Sequence, residues 1–279
     1  MPEYAQEIET KTPRDKTSTV HSLQGIVLGC GTSIGVPMIG CRCQVCTSEE
    51  PKNRRMRPSL CLRFDDRTIL VDTSPDLREQ CLRFGVERVD AILFTHGHAD
   101  HIFGLDDIRP FSFRQDEPIP CYGTLETLDR VRRAFDYAFD GVPSEGGGKP
   151  RLTTHPIDES FELFGHTIEA IMVWHGSLPV TAYRFDRFAY VTDTHHVPDE
   201  AIERLVGVDT LILDALGYKP HPTHLSVEEA IEVADRIGAR RTWLTHMNHQ
   251  IDYHAPRVDL PDGVGFAYDG LTFEVTADA

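Results

Sequence analysis

The chain has 279 residues, of which 40% are hydrophobic, and this is enough to build one large domain or two small ones. The formal net charge of -16 disfavours a non-specific nucleic-acid binder, because such proteins concentrate Lys and Arg against the phosphates. No apolar stretch reaches the roughly 20 residues that cross a bilayer, and residues 1–22 lack the apolar core of a signal peptide. These features predict a cytoplasmic protein with no membrane association.

The chain begins with a polar segment, residues 1–22, that shows no hydrophobic periodicity. We expect this segment to be a mobile tail and residues 23–279 to form one domain. A first strand is predicted over residues 24–29, and a glycine-rich turn follows it. The turn matches neither the Walker nor the dinucleotide fingerprint, so we interpret it as a place where the backbone passes close to a pocket.

Three of the seven cysteines, Cys41, Cys43 and Cys46, lie within six residues, and the other four are scattered singly. This spacing is not that of a secreted disulfide framework. Three thiolates on a short loop can occupy three corners of a tetrahedral zinc site, which a fourth ligand from elsewhere in the chain would close. A redox pair and ordinary buried cysteines are the alternatives.

A hairpin is predicted from two strands, residues 59–64 and 68–72, which a tight turn connects. Asp72 ends the second strand, and a carboxylate there is a candidate for orienting a metal-binding imidazole. Ser74 is the predicted N-cap of a helix that runs to about Phe84 and ends at Gly85.

The strongest signal is the segment from Thr95 to His101, which follows the apolar run 91–94. Three imidazoles and one carboxylate within six residues are hard to explain by folding alone, because a buried strand favours apolar side chains at its end. Neutral imidazole and carboxylate are ligands that divalent zinc, manganese and iron accept. The sequence therefore predicts a metal site here, with a histidine-rich surface turn as the alternative.

Helices are predicted over residues 125–139, 199–206 and 226–237, the last beginning with a capping box of Ser226 and Glu229. Residues 140–150 form a low-complexity stretch around Gly146 and Gly148, which predicts a flexible loop that lies over the pocket or only connects two elements.

Three further strands each end in a ligand type: residues 168–174 precede His175, residues 188–192 precede Asp193, and residues 241–245 precede His246. Each of these residues alone would more often cap an element or satisfy a local hydrogen bond. Five strands in one chain are followed by a residue that can bind a metal. We therefore predict that these residues meet in a common metal pocket.

The order of these residues, His-x-His-x-Asp-His and then a lone His, Asp and His, resembles the metallo-β-lactamase superfamily. The resemblance implies an α/β fold of four layers, an αββα sandwich, over residues 23–279. The Cys41 to Cys46 loop, the segment 244–250 and the pair Thr223 and His224 are similar to the phosphoribosyl cyclic phosphate phosphodiesterases.

The resemblance also implies the ligands and cofactors. It assigns two divalent metals, zinc or manganese, to the active site and one structural zinc to the cysteine loop. The first metal is held by His96, His98 and His175, the second by Asp100, His101 and His246, with Asp193 bridging, and His249 joins Cys41, Cys43 and Cys46. Asp100 and Asp193 are thus catalytic ligands.

The expected function is a metal-dependent phosphodiesterase that acts on a small, cyclic ribosyl or nucleoside phosphate. Two cations that share a water lower its pKa and neutralise the phosphoryl oxygens, and His224 is the candidate general acid for the departing alkoxide. A surface role for His224 is the alternative. The rival functions are a transfer-RNA 3′-processing nuclease, an acyl hydrolase of thioesters or lactones, and a zinc-stabilised binding protein. The expected partner is a small phosphate ester, with a homodimer left open.

Overall fold

Two seven-stranded sheets lie face to face at the centre of the molecule. The computed structural model describes residues 22–140, 142, 146 and 148–276. The strands, in chain order, are β1 (Ser22–Gly29), β2 (Ser59–Phe64), β3 (Arg67–Val71), β4 (Ala91–Leu93), β5 (Ile119–Gly123), β6 (Leu152–Pro156), β7 (Ser160–Leu163), β8 (His166–His175), β9 (Leu178–Phe185), β10 (Phe188–Val191), β11 (Thr210–Asp214), β12 (Arg241–Thr245), β13 (Val264–Phe266) and β14 (Thr272–Thr276). The first sheet has the order β14-β1-β2-β3-β4-β5-β6 and the second β13-β12-β11-β10-β9-β8-β7.

The helices of the described chain cover the outer faces of the two sheets. They are α1 (Leu77–Phe84), α2 (Ala99–Ile102), α3 (Arg109–Gln115), α4 (Leu125–Ala134), α5 (Asp136–Phe139), α6 (Asp199–Leu205) and α7 (Val227–Ile237), with 3-10 turns at Pro51–Asn53 and Leu105–Ile108. Apolar residues of α1, α3 and α4 pack in one cluster with the first sheet. Those of α6 and α7 join the larger cluster that includes the second sheet. The layers therefore follow the order αββα, which confirms the predicted fold class.

Strand alternation explains why these short apolar runs stack in layers. In β3, Ile69 and Val71 belong to the cluster between the sheets, whereas Leu70 belongs to the cluster under the helices. In β4, Leu93 belongs to the cluster between the sheets and Ile92 to the cluster under the helices. Because successive side chains point to opposite faces of a strand, a strand covered on both faces reads as a continuous apolar run.

Both sheets change from antiparallel to parallel pairing, and this change positions the polar residues at the strand ends. β3 to β6 pair in parallel, as do β10 to β13. Within each parallel set the carboxyl ends of the strands lie at one edge of the sheet. Asp72 lies in the turn after β3, and the segment that begins at His96 follows β4. Asp193 lies in the turn after β10, and His246 in the turn after β12.

Two predicted helix boundaries are wrong. The helix that begins near Ser74 starts at Leu77 with Asp76 as its N-cap, because the Ser74 hydroxyl lies 3.1 Å from the Gln80 side-chain oxygen and accepts from the Asp76 amide. The single helix predicted over residues 125–139 is interrupted at Phe135, whose backbone leaves the helical region while its ring is buried against Phe103.

Other predicted elements are confirmed. β2 and β3 form the predicted hairpin, and Ser226 and Glu229 form the capping box of α7. The predicted tail lies outside the described residues except for Ser22, which begins β1, and so does part of the predicted loop, at residues 141, 143–145 and 147. None of the helices within the described part of the chain has the length and hydropathy of a bilayer-spanning segment. The cytoplasmic location stays a prediction.

Candidate metal centre

The segment after β4 leads into α2. It brings three imidazoles and one carboxylate to the edge between the sheets. Asp100 and His101 lie in the first turn of α2, and both are buried. His96 is also buried, and His98 is partly accessible. The rings of His96 and His98 lie 4.5 Å apart, and those of His96 and His101 lie 4.2 Å apart. The structure therefore brings together the four residues of this motif.

Asp193 lies between two groups of ligands. Its Oδ1 atom is 3.2 Å from His101 Nε2 and 3.3 Å from His246 Nε2. Its Oδ2 atom is 3.8 Å from His96 Nε2. The Asp100 carboxylate completes the first group, at 3.3 Å from His101 Nε2. One carboxylate thus presents one oxygen to each group of side chains.

His175 reaches the same pocket from the end of β8. Its Nδ1 atom lies 2.7 Å from the Thr223 carbonyl oxygen, to which it donates, so Nε2 remains for another partner. Its ring is 5.2 Å from that of His98 and 4.6 Å from that of His224. Ligand atoms of His175, Asp193 and His224 lie within 4.8 Å of one another, as do those of His96, His98 and Asp193.

Two buried carboxylates hold these ligands in place. Asp72 Oδ2 lies 2.7 Å from His101 Nδ1, and Asp72 also accepts from the Thr95 amide and hydroxyl. This contact is the one predicted from its place at a strand end. A carboxylate on the far nitrogen fixes the tautomer and leaves Nε2 free to bind a metal.

Asp214 is a residue that the sequence reasoning missed. Its Oδ1 atom accepts from the Asp193 amide at 3.0 Å and lies 3.1 Å from His224 Nδ1, and Oδ2 accepts from the Leu225 amide. Asp214 closes β11, an apolar strand that is buried throughout. Asp214 is therefore a polar residue at the end of an apolar strand, as the predicted site residues are. This pattern could have identified Asp214 as a candidate site residue.

Three site residues have left-handed backbone conformations within two residues of the end of a strand. The φ angles are 62° at Asp72, 50° at Asp193 and 60° at His246. Asp and His adopt this region more readily than most side chains, but the conformation is uncommon and costs free energy. A sharp turn at this point directs each side chain into the pocket at the end of its strand.

The charges in the pocket are strongly coupled. Burial would raise the pKa of Asp193, yet the neighbouring His246 and His101 charges lower it well below its usual range. Burial would lower the pKa of His246, yet the Asp193 carboxylate raises it to about 9. Burial and the His101 charge lower the pKa of His96. The carboxylates therefore attract positive charge to the centre of the pocket.

Several buried ligand atoms lack a hydrogen-bond partner, and these are the atoms that face Asp193: His96 Nε2, Asp100 Oδ2, His101 Nε2 and His246 Nε2. An unpaired polar atom in the interior is costly, and most buried polar atoms are paired. Imidazole nitrogen and carboxylate oxygen converging in this way fit divalent metal ions, which would satisfy all four atoms.

A second group lies at the cysteine loop. His249 Nδ1 is 3.3 Å from Cys41 Sγ, 3.4 Å from Cys43 Sγ and 3.5 Å from Cys46 Sγ. In a tetrahedral zinc site with ordinary bond lengths, neighbouring ligand atoms are about 3.6 Å apart. The four residues therefore fit a structural zinc ion. A hydrogen bond from the Cys46 amide contributes most to lowering the pKa of Cys43 to about 6, which favours the thiolate.

One short segment connects the two groups. His246 enters the buried pocket, and His249, three residues later, turns toward the cysteines. The buried Arg55 side chain holds this segment, because its guanidinium donates to the carbonyl oxygens of Asn248 and Ile251. The Met247 amide donates to the Cys30 carbonyl oxygen, which attaches the segment to the end of β1.

We expect Cys43→Ser to remove one metal per chain and to lower the thermal midpoint by about 10 °C, because zinc binding contributes directly to the stability of such a loop. Metal content by mass spectrometry and a thermal melt would measure both effects. Cys81→Ala is the matched control, since Cys81 lies in α1 away from the loop. Unchanged zinc in Cys43→Ser would contradict the assignment.

A buried cluster of imidazoles and carboxylates at one edge of two facing sheets defines the chain as a metal-dependent hydrolase of the metallo-β-lactamase class. The family model of the beta-lactamase superfamily domain matches residues 67–247, and the chain belongs to this superfamily, as a PhnP-like member. The resemblance found in the sequence is thereby confirmed at the level of the family and the fold.

Three relatives give the family context. A solved structure of a diphosphatase from the PhnP family is 40% identical, with a TM-score of 0.85, and the match covers 91% of this chain and 98% of that one. The octanoyltransferase of Porphyromonas gingivalis is 36% identical over 249 residues, which are 88% of this chain but 50% of that protein. This chain therefore spans about half the length of that relative. The coenzyme PQQ synthesis protein B of Methylobacterium radiotolerans is 29% identical over 90% of this chain and 99% of its own length.

Proposed function

We propose that the chain is a dinuclear metal-dependent phosphodiesterase that acts on a small sugar or nucleoside phosphate. The observation that carries this proposal is the position of Asp193, whose two carboxylate oxygens face two separate groups of ligand atoms. His96, His98 and His175 would hold one metal, and Asp100, His101 and His246 the other. The 40% identical relative is named a diphosphatase, and this supports a phosphoryl rather than a carbonyl substrate.

The pocket residues of this chain would have different roles in phosphodiester hydrolysis. Divalent cations bound there would supply an activated water and would neutralise charge on the phosphoryl oxygens. Asp193 and Asp100 bring the compensating negative charge, and Asp72 keeps His101 oriented. Because Thr95 and Asp72 are buried and bonded to each other, the ligand geometry is set before a substrate arrives.

The contacts of His224 support a role as the general acid that protonates the departing oxygen. Its ring lies between those of His175 and His246, with the centroids 4.6 Å from each. Asp214 accepts from Nδ1, so this carboxylate fixes the orientation of the ring. Nε2 is then the atom that would donate the proton, and the Asp214 contact makes His224 more than a surface residue.

Two rival reactions have weaker support. The octanoyltransferase relative favours acyl chemistry, but half of that protein has no counterpart in this chain, and its name describes the whole. A transfer-RNA nuclease needs a surface that attracts a polyanion, whereas this chain carries a formal charge of -16. A purely structural metal site is disfavoured by His98 and His175, which are partly accessible and would leave room for a substrate.

A test compares the wild-type protein on three substrates after its metal content has been measured. We expect about three metals per chain, two in the pocket and one at the cysteine loop. The same preparation should hydrolyse bis(p-nitrophenyl) phosphate and leave a p-nitrophenyl thioester and a transfer-RNA precursor intact. Faster turnover of the thioester than of the phosphodiester would show that the protein is an acyl hydrolase. One metal per chain and no hydrolysis of any of the three substrates would favour a binding protein.

A further inference from the structure

Arg55 is a buried arginine that contacts the segment carrying His246 and His249. Its side chain is 2% exposed. The Nη1 atom donates to the Asn248 carbonyl oxygen at 3.2 Å, and the Nη2 atom donates to the Ile251 carbonyl oxygen at 2.8 Å. Among the described residues, no carboxylate forms an ion pair with this guanidinium. Its charge is therefore directed at the backbone of one short segment, which it holds through charge-assisted hydrogen bonds.

Asn53 extends the hold on the same segment. Its Oδ1 atom accepts from Arg55 Nη2 at 3.1 Å and from the Tyr253 amide at 2.9 Å. Its Nδ2 atom donates to Asp252 Oδ1 at 3.1 Å. These contacts lie in the interior, where a hydrogen bond that is lost leaves a costly unpaired group. Two buried side chains from the stretch before β2 thus fix residues 248–253.

The backbone of Arg55 is paired with the start of the cysteine loop. The Arg55 amide donates to the Val36 carbonyl oxygen at 2.7 Å, and the Val36 amide donates to the Arg55 carbonyl oxygen at 2.9 Å. Val36 is buried with Val45 and Cys46 in a small apolar cluster of its own. Arg55 therefore holds the loop with the three thiols through its backbone and the segment with His249 through its side chain.

The orientation of His246 depends on the residues that follow it. Its φ angle of 60° is an uncommon conformation, which surrounding contacts must maintain. The Met247 amide donates to the Cys30 carbonyl oxygen at 2.9 Å, and the Met247 carbonyl oxygen accepts from the Thr32 amide at 3.1 Å. The residue after Met247 is the one that Arg55 holds. A shift of this segment would therefore turn the His246 ring in the pocket.

We propose that Arg55 is a positioning residue that couples the two metal sites, so that zinc at the cysteine loop strengthens metal binding by the His246 group. The His246 group consists of Asp100, His101 and His246. Because Arg55 keeps the segment rigid, His246 and His249 move together, and release of His249 from the thiolates displaces His246. The inference rests on the metal ligands of the proposed function and does not depend on the substrate.

Metal content at buffered free zinc measures the coupling from the side of the cysteine loop. At saturating zinc, Cys43→Ser should lose only the ion of the loop. At limiting zinc, we expect the concentration that half-fills one of the two pocket sites to rise about tenfold, because the support of a ligand is weakened. The other pocket site should change by less than about threefold. Arg55→Lys should produce the same selective shift, because one ammonium cannot replace the planar fork that bonds two carbonyl oxygens.

The reverse experiment measures the coupling from the side of the pocket. Cobalt(II) bound at the cysteine loop has a thiolate charge-transfer absorption, and the pocket groups contain no thiol. Because coupling between two binding sites is reciprocal, His246→Asn should weaken cobalt binding at the loop about tenfold. Asparagine tolerates the positive φ angle at this position. His98→Ala removes a ligand of the other pocket group and should leave the loop unchanged.

The control is Arg204→Lys, which should bind metal as the wild type does. Arg204 also donates to two backbone carbonyl oxygens, but it lies on α6, outside both groups of ligands. Should Arg55→Lys not fold, Asn53→Ala takes its place, because it removes one acceptor and retains the charge. Equal shifts at both pocket sites, or none, would overturn the coupling and leave the proposed function intact. A wild-type protein that binds no metal in the pocket would reject the proposed function, and this inference with it.

Discussion

Replacement of Asp193 by asparagine should lower kcat on bis(p-nitrophenyl) phosphate by at least about a thousandfold, because the carboxylate that faces both ligand groups loses its charge. The same change should reduce the metal content from about three ions per chain to about one, the ion at the cysteine loop. Asparagine has nearly the same size as aspartate and tolerates a positive φ, so the backbone turn at this position is kept. Mass spectrometry of the metal content and the hydrolysis assay measure the two effects together.

A matched control separates loss of charge from backbone strain. Asp186 has a φ angle of 52° in an exposed turn between β9 and β10, outside the pocket, and Asp186→Asn should leave both metal content and turnover unchanged. Asp193→Ala should resemble Asp193→Asn in activity but be less stable, because alanine disfavours the left-handed conformation. Retention of all the metal in Asp193→Asn would show that Asp193 does not bridge the site.

Most of the candidate metal pocket could be predicted from the sequence because its residues follow apolar strands. A run such as residues 91–94 identifies a buried strand without any knowledge of the fold, and a polar residue at its end then needs an explanation. His96, His175 and His246 were found in this way. The resemblance to a family added the division of the ligands into two groups, which spacing alone could not supply.

Asp214 could not be assigned from the sequence with the same weight. Asp214 ends an apolar strand, as the candidate ligands do, but an isolated aspartate at a strand end more often caps the next element, so the pattern alone is ambiguous. Its contacts with the Asp193 amide and with His224 depend on the tertiary fold.

The errors in helix boundaries have a similar origin. Ser74 has the side chain and the position of an N-cap, but its hydroxyl is engaged by Gln80, and Asp76 takes the first position instead. Phe135 continues the apolar spacing of α4, yet it turns out of the helix as its ring packs near Phe103. Tertiary contacts outweigh local preference in both places.

Replacement of His224 by alanine should slow the hydrolysis of an alkyl ester strongly and of an activated aryl ester only weakly. An alkoxide leaves poorly without a proton, so the loss of a general acid should lower kcat about a thousandfold on adenosine 2′,3′-cyclic phosphate. A p-nitrophenolate leaves without help, and its ester should lose less than about tenfold. Asp214→Asn should show the same selectivity to a smaller degree, because it weakens the hydrogen bond that orients the His224 ring.

The difference between the two esters separates proton transfer from metal binding. His224 also lies close to His175 and Asp193, so a ligand role predicts loss of metal and equal losses on both substrates. His221→Ala is the control, because that ring is exposed and lies 5.4 Å from His224. If His224→Ala keeps its metal and loses activity mainly on the cyclic phosphate, the residue acts on the leaving oxygen. Unchanged turnover of the cyclic phosphate would instead remove His224 from the reaction.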